Sequence, residues 1–262
     1  MWSRAELKDR AKKILKLSYW KAFWVSIVLM IAGGTDGGNS FNFNFKNGFN
    51  SGRGSYTGNS GVSQSFDTVD PGIALGVLGF VAIVLISIFI VAAGLRIFLG
   101  YPLQIGARRY FVRSTEEDFD YSNLTYFFKE GRYLACIKAM FLKGVYLVLW
   151  TLLLIIPGII KGYAYRMVPY ILADNPHIGS NRAIELSNAM TDGEKFDMWV
   201  LDLSFIGWYL LGTLALFIGV IFVMPYENAT KAELYTVLRQ KALDNGSCTH
   251  AELNMKAPIE EW

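Results

Sequence analysis

The chain has few of the residues from which catalytic and metal centres are usually built. It carries only two cysteines, Cys136 and Cys248, and two histidines, His177 and His250. Two cysteines are too few for a disulfide framework, and with two histidines they form no zinc-ligand cluster at known spacings. Neither a GxSxG nucleophile elbow, a GxxxxGK(S/T) phosphate loop, an HExxH helix nor a dinucleotide fingerprint after a strand occurs. Histidine, the usual acid–base residue near neutral pH, stands only beside Pro176 and near the C-terminal end. No enzymatic activity and no cofactor is therefore expected. Charge is also scarce: 18% of residues are charged, against about a quarter in an ordinary soluble domain. Basic residues do not interleave with aromatics in a soluble domain, which excludes a nucleic-acid partner.

What the chain has in abundance is apolar surface. Hydrophobic residues make up 53%, aromatics 15%, and the mean hydropathy is +0.30. The stretch from Ile73 to Leu99 holds one charge, Arg96. As a helix it runs ~40 Å at ~1.5 Å per residue, enough to cross a ~30 Å hydrocarbon core. It has no polar stripe, so it needs lipid around it. A polytopic membrane helix bundle, all-α, follows.

Ser3 and Glu6 have capping-box spacing, and Leu7, Ala11, Ile14, Leu15 and Ser18 recur on one helical face opposite Lys8, Asp9, Lys12, Lys13 and Lys16. This amphipathic helix, 3–18, is expected to lie on anionic headgroups on the cytoplasmic side, with Trp20 and Trp24 at the interface. The first crossing, Ala22 to Ala32, is short. Residues 33–71 are dominated by glycine and asparagine and are expected to form a flexible extracellular loop, with an aromatic hairpin over FNFNFKNGFN as the alternative. An apolar run from Met140 to Ile156 stops at Pro157-Gly158, and a returning helix is expected from Ile159 to Asp174. Ser180 to Met190 reads as a surface helix. The block from Met198 to Met224 is long enough for one span but can also turn back on itself near Gly219.

Charge placement favours the second possibility. Lysines and arginines crowd before the first span and after the second, whereas only Lys46 and Arg53 lie in the Gly/Asn loop. The amino terminus is then cytoplasmic. A C-terminal tail, 236–262, is also cytoplasmic if the last block is a hairpin. The expected architecture is a single integral membrane domain, 1–262, with about six transmembrane helices arranged as three hairpins.

The three inward-running helices share a local feature. Tyr101-Pro102, Val168-Pro169-Tyr170 and Met224-Pro225-Tyr226 each introduce a proline, which frees a backbone carbonyl and bends a helix. Gln104, Arg108, Arg166, Asp174, Glu227, Asn228 and Lys231 cluster around Pro102, Pro169 and Pro225 in sequence. Two readings stay open: a polar, cytoplasm-facing cavity lined by kinked helices, or prolines and tyrosines marking the interface. Arg166, midway along its expected helix, is the strongest intramembrane candidate, with Asp202 or Glu227 as its partner.

The segments SRAELKDRAKKILKLSYWKAFWVS, LLIIPGIIKGYAYRMVPYILADNP, AIELSNAMTDGEKFDMWVLDLSFIGWYLL and VMPYENATKAELY closely resemble a family of small polytopic membrane proteins of Gram-positive bacteria, domain of unknown function 975. More distantly, such hairpins resemble the membrane domain of some glycerophosphodiester phosphodiesterases, whose catalytic barrel has no counterpart here. The resemblance implies a location in the bacterial cell membrane and leaves the activity unassigned. The expected function is a non-enzymatic accessory or scaffold protein. The alternative is a carrier of a small amphiphile, lipid or peptide. The partners expected are the lipid bilayer and either other membrane proteins or such an amphiphile.

Overall fold

The computed structural model describes residues 2–33, 71–128, 131–214 and 218–255. Most of the Gly/Asn loop and the last seven residues, on which two of the expectations above fall, lie outside them. The described residues are helical and contain no strand. Contacts divide the chain into two units, 1–38 with 95–262, and 39–94.

In the second unit, α2 (Pro71–Leu95) exposes its apolar side chains, Phe89 and Leu75 among them. The first unit holds α1 (Arg4–Ile31), α3 (Tyr101–Ser114), the short α4 (Ser122–Thr125), α5 (Tyr133–Leu153), α6 (Ile155–Ala164), α7 (Val168–Asp174), α8 (Ser180–Met190), α9 (Lys195–Leu214) and α10 (Ile218–Asp244). Three stretches are long and apolar enough to cross a membrane: Arg4–Ile31, Leu75–Ser114 and Tyr133–Leu153.

The N-terminal helix starts as its sequence dictates, with the Ser3 hydroxyl accepting the Glu6 N–H at 3.1 Å. Its apolar face has a different partner from the one expected. Leu7, Ala11, Leu15, Ser18, Ala22, Val25, Ser26 and Leu29 form one buried stripe, packed mainly on α10 and α3. The amphipathic half and the apolar half are one helix, bent at Ser18 (φ −148°, ψ 39°). An apolar stripe fits a protein face as well as it fits lipid, and here α10 supplies that face.

The middle hairpin turns earlier than Pro157-Gly158. Leu154 alone is extended between α5 and α6, and Pro157 occupies the first turn of α6, where its missing N–H costs nothing. Gly158 then lies against Thr151, close enough that a Cβ would stand 2.8 Å from the Thr151 Cα. The expected returning helix is two helices. After Ala164 the chain breaks over Tyr165–Met167 and resumes as α7, every residue of which is buried. Ser187 of α8 pins this break, since its hydroxyl accepts the Met167 N–H at 3.1 Å and donates to the Ala164 carbonyl at 2.7 Å. The last apolar block is a hairpin of α9 and α10. Gly212 and Gly219 meet so closely that a Cβ on Gly219 would stand 2.7 Å from the Gly212 Cα.

Beyond α10, residues 245–255 turn back onto the helical body. Arg182 grips the Glu252 carboxylate at 2.5 and 3.2 Å, and Asn175 donates to the Glu252 carbonyl at 3.0 Å.

Candidate functional site

The three proline-bearing segments meet. Pro102 lies in the first turn of α3 just after a π-helical turn at Arg96–Gly100, Pro169 in the first turn of α7, and Pro225 inside α10. Pro169 therefore opens a helix, where its missing N–H is tolerated, Pro102 follows the π-helical turn within one continuous helical stretch, and Pro225 interrupts the ladder of α10. Beside that interruption the Phe222 carbonyl accepts a bond from the Tyr19 hydroxyl at 3.1 Å. Four residues past each proline stands a small residue, Gly106, Ala173 and Ala229. At the first of these a Cβ would lie 2.2 Å from the Leu124 carbonyl oxygen, so no larger residue fits.

Arg108, fully buried, sits where the three segments converge. Its Nη1 donates to the Tyr170 hydroxyl at 2.9 Å and to the Asn228 Oδ1 at 3.1 Å, and Asn228 donates in turn to the Ser26 hydroxyl at 3.1 Å. One guanidinium thus links α3, α7 and α10, with α1 attached through Asn228. The Tyr170 ring stacks on Tyr235 at 5.2 Å between centroids. Sequence reading placed Arg108 and Asn228 near the bends but gave no sign of Tyr235 or Ser26, which are brought in by packing alone.

A second cluster lies beside it. Asp174, buried, accepts from the Tyr235 hydroxyl at 2.7 Å and from Arg239 at 3.0 Å, and Arg239 also reaches Glu116 at 3.3 Å. Burial raises the Asp174 carboxyl above its ordinary value, with Arg239 and Tyr235 pulling it back. Asp174 is thus held by Tyr235 and Arg239 inside the helical body.

Arg166 is placed in the break between α6 and α7, not midway along a helix. It is buried, and of its two candidate partners it takes Asp202. Nη1 and Nη2 donate to the two carboxylate oxygens at 2.8 Å each, and the Tyr163 hydroxyl joins Oδ2 at 3.0 Å. Such a bidentate pair fixes orientation as well as charge. Glu227 is engaged elsewhere: Lys231, one turn along, reaches it at 2.5 Å, and Tyr209 donates to its other oxygen. Gln104 is buried among the same helices and contributes no contact to these pairs.

The polar residues around the bends are paired with one another or with neighbouring helices. A groove of about 390 Å³ lies between α5, α6 and α8, lined by Tyr146, Trp150, Lys161, Tyr165, Asn181 and Asn188 among others. Lys161 stands over the rings of Trp150 and Tyr165, 5.2 and 5.8 Å from their centroids. Among the described residues no group of three or more His, Cys, Asp or Glu is placed to hold a metal ion.

Residues 151–242 match the model of a family described as a protein of unknown function, DUF975. That segment contains Arg166, Asp174, Asp202, Glu227, Lys231 and Arg239, while Arg108 and Ser26 precede it. No curated protein and no solved structure matches the chain.

Proposed function

We propose that this chain is a multi-pass protein of the bacterial cell membrane, built on three helical hairpins, that acts as a non-enzymatic accessory or scaffold protein. The observation that carries the reading is the pairing of its buried charges. Arg166 with Asp202 and Arg239 with Asp174 each join separate segments of the chain, and Lys231 with Glu227 closes a turn within α10. Groups so engaged hold an architecture, and none is left poised for proton transfer.

The surfaces available to protein partners are the outward faces of the first half of α1, with Lys12, Lys13 and Lys16, and of α8, with Glu185. The start of α1 and the end of α10 stand on one side of the body: the Trp2 indole donates to Glu194 at 2.9 Å, and Lys241 pairs with the same carboxylate. The charge asymmetry of the sequence supports calling that side cytoplasmic.

A photoreactive residue at Lys13 or Glu185 is expected to yield adducts with one and the same membrane protein in living cells, and one at buried Leu186 none. The groove beside Lys161 favours a second reading, a binder of a small amphiphile. Under that reading the purified protein retains such a molecule, seen by native mass spectrometry and lost on Trp150→Ala, and the adducts are missing.

A further inference from the structure

We infer that the α5–α6 hairpin does not cross the bilayer but dips into the acyl region of the leaflet on the side where α1 begins and α10 ends. The inference rests on the membrane reading above, and four observations carry it.

The return arm is short. Ten residues of α6 give ~15 Å, half of a ~30 Å hydrocarbon core, and past Ala164 the chain enters the buried Arg166 break. In the first half of the outgoing arm one side, Cys136, Ala139 and Met140, is packed in the protein core, and the arm carries two charges there, Lys138 and Lys143. From Lys143 to Leu154 the remaining rise is ~16 Å, about one leaflet.

The tip is apolar and open. Leu152, Leu153, Leu154, Ile155 and Ile156 are 62–85% exposed, and no charged residue occurs from 144 to 160. A hairpin tip emerging into water on the far side has no reason to present five such side chains together.

Its backbone is suited to lipid. Leu154 is the one extended residue of the turn, yet its N–H bonds to the Trp150 carbonyl at 3.1 Å and its carbonyl accepts the Gly158 N–H at 3.1 Å. Pro157 brings no N–H to satisfy, and the Thr151 hydroxyl is absorbed by the Leu147 carbonyl at 2.8 Å. Each of these bonds removes a group that would otherwise be an orphan in hydrocarbon, where an orphan costs several kcal/mol.

A collar marks the headgroup level. Tyr146, Trp150, Lys161 and Tyr165 gather beside the groove, and aromatic rings with a lysine are the residues that settle where acyl chains meet headgroups. Glu185, the carboxylate lining the same groove, pairs with Arg182 at 3.3 Å, and Lys161 lies over the Trp150 and Tyr165 rings, where a lipid phosphate can reach its charge. From Lys161 to Leu154 the rise is ~10 Å, so the tip ends short of the midplane.

The test uses the full chain in liposomes, with single nitroxide labels on Ile155→Cys and, in α2, on Leu85→Cys. Both native side chains are exposed, so neither change removes a buried contact. The expected result is that both labels are reached by oxygen and shielded from a water-soluble nickel chelate, with the Ile155 label within one leaflet. In intact cells Ile155→Cys should resist a membrane-impermeant maleimide added outside. Labelling from outside, or a depth in the far leaflet, overturns the inference while leaving the membrane reading intact. A tip label shielded from oxygen and nickel alike overturns it in favour of a protein partner over the tip. Nickel access to the Leu85 label overturns the membrane reading itself.

Discussion

Arg166 and Asp202 face each other as a planar fork, two N–H···O contacts of 2.8 Å joining the break after α6 to the middle of α9. The arginine is 4% exposed and the aspartate side chain 23%. Truncating one partner strands the other, a loss of about 3 kcal/mol or more. Asp202→Ala should lower the melting temperature in detergent more than the apolar double replacement Arg166→Met with Asp202→Leu. A double variant no more stable than the single one would mean the pair has a value beyond its desolvation cost.

Ser187 gives a second prediction. Ser187→Ala deprives the Met167 N–H and the Ala164 carbonyl of their shared partner, although Thr191 also reaches that carbonyl at 3.4 Å. A buried orphan donor costs about 1–3 kcal/mol. Amide hydrogen exchange should rise first at 164–168, ahead of any change in α3.

The segment after α10 should come away in acid. Arg182 holds the Glu252 carboxyl below its ordinary value. A carboxyl lowered in the folded state contributes stability above its unfolded value, near 4.5, that is lost as pH falls through the lower folded value. Exchange protection at 247–255 should therefore persist at pH 5 and vanish further below 4.5. In Arg182→Ala it should already be weak at neutral pH.

Gly106→Ala and Gly212→Leu should both damage the fold, the first because Leu124 backbone occupies the space, the second because α9 and α10 touch there. Overpacking of this kind costs about 1–3 kcal/mol. Gly207→Ala on α9, where nothing lies within 4 Å, is the matched control and should leave the melting temperature within a degree or so of the parent.

Much of this arrangement is legible in the sequence because local chemistry dictates it. Ser3 caps α1, Ser180–Met190 forms the helix its pattern predicts, and Asp202 is one of the two partners that an isolated internal Arg166 calls for. Other parts depend on what stands opposite. The stripe from Leu7 to Ser18 suits a headgroup surface and a helix equally, and only the folded chain puts α10 there. Arg108 reads as one more charge in a basic stretch, because Tyr170 and Asn228 lie 62 and 120 residues away. Pro157 looks like a turn in a string of letters, yet it is tolerated in a first helical turn, so the reversal moves to Leu154. The end of α6 is likewise set by what stands opposite, since Ser187 and Asp202 hold the break that follows it.

The buried stripe of α1 advances Ala11, Leu15, Ser18, Ala22, Val25, Leu29, alternating steps of four and three. That is a period of about 3.5, a single seam running through the bend at Ser18. Everything beyond it keeps its facing only by counting from that seam. One extra residue inserted after Ser18 would turn the rest of the helix by ~100°, carrying Trp20 and Trp24 off the outer surface and replacing Val25 and Leu29 in the seam. The phase of this helix, more than its hydrophobicity, decides which residues face outward.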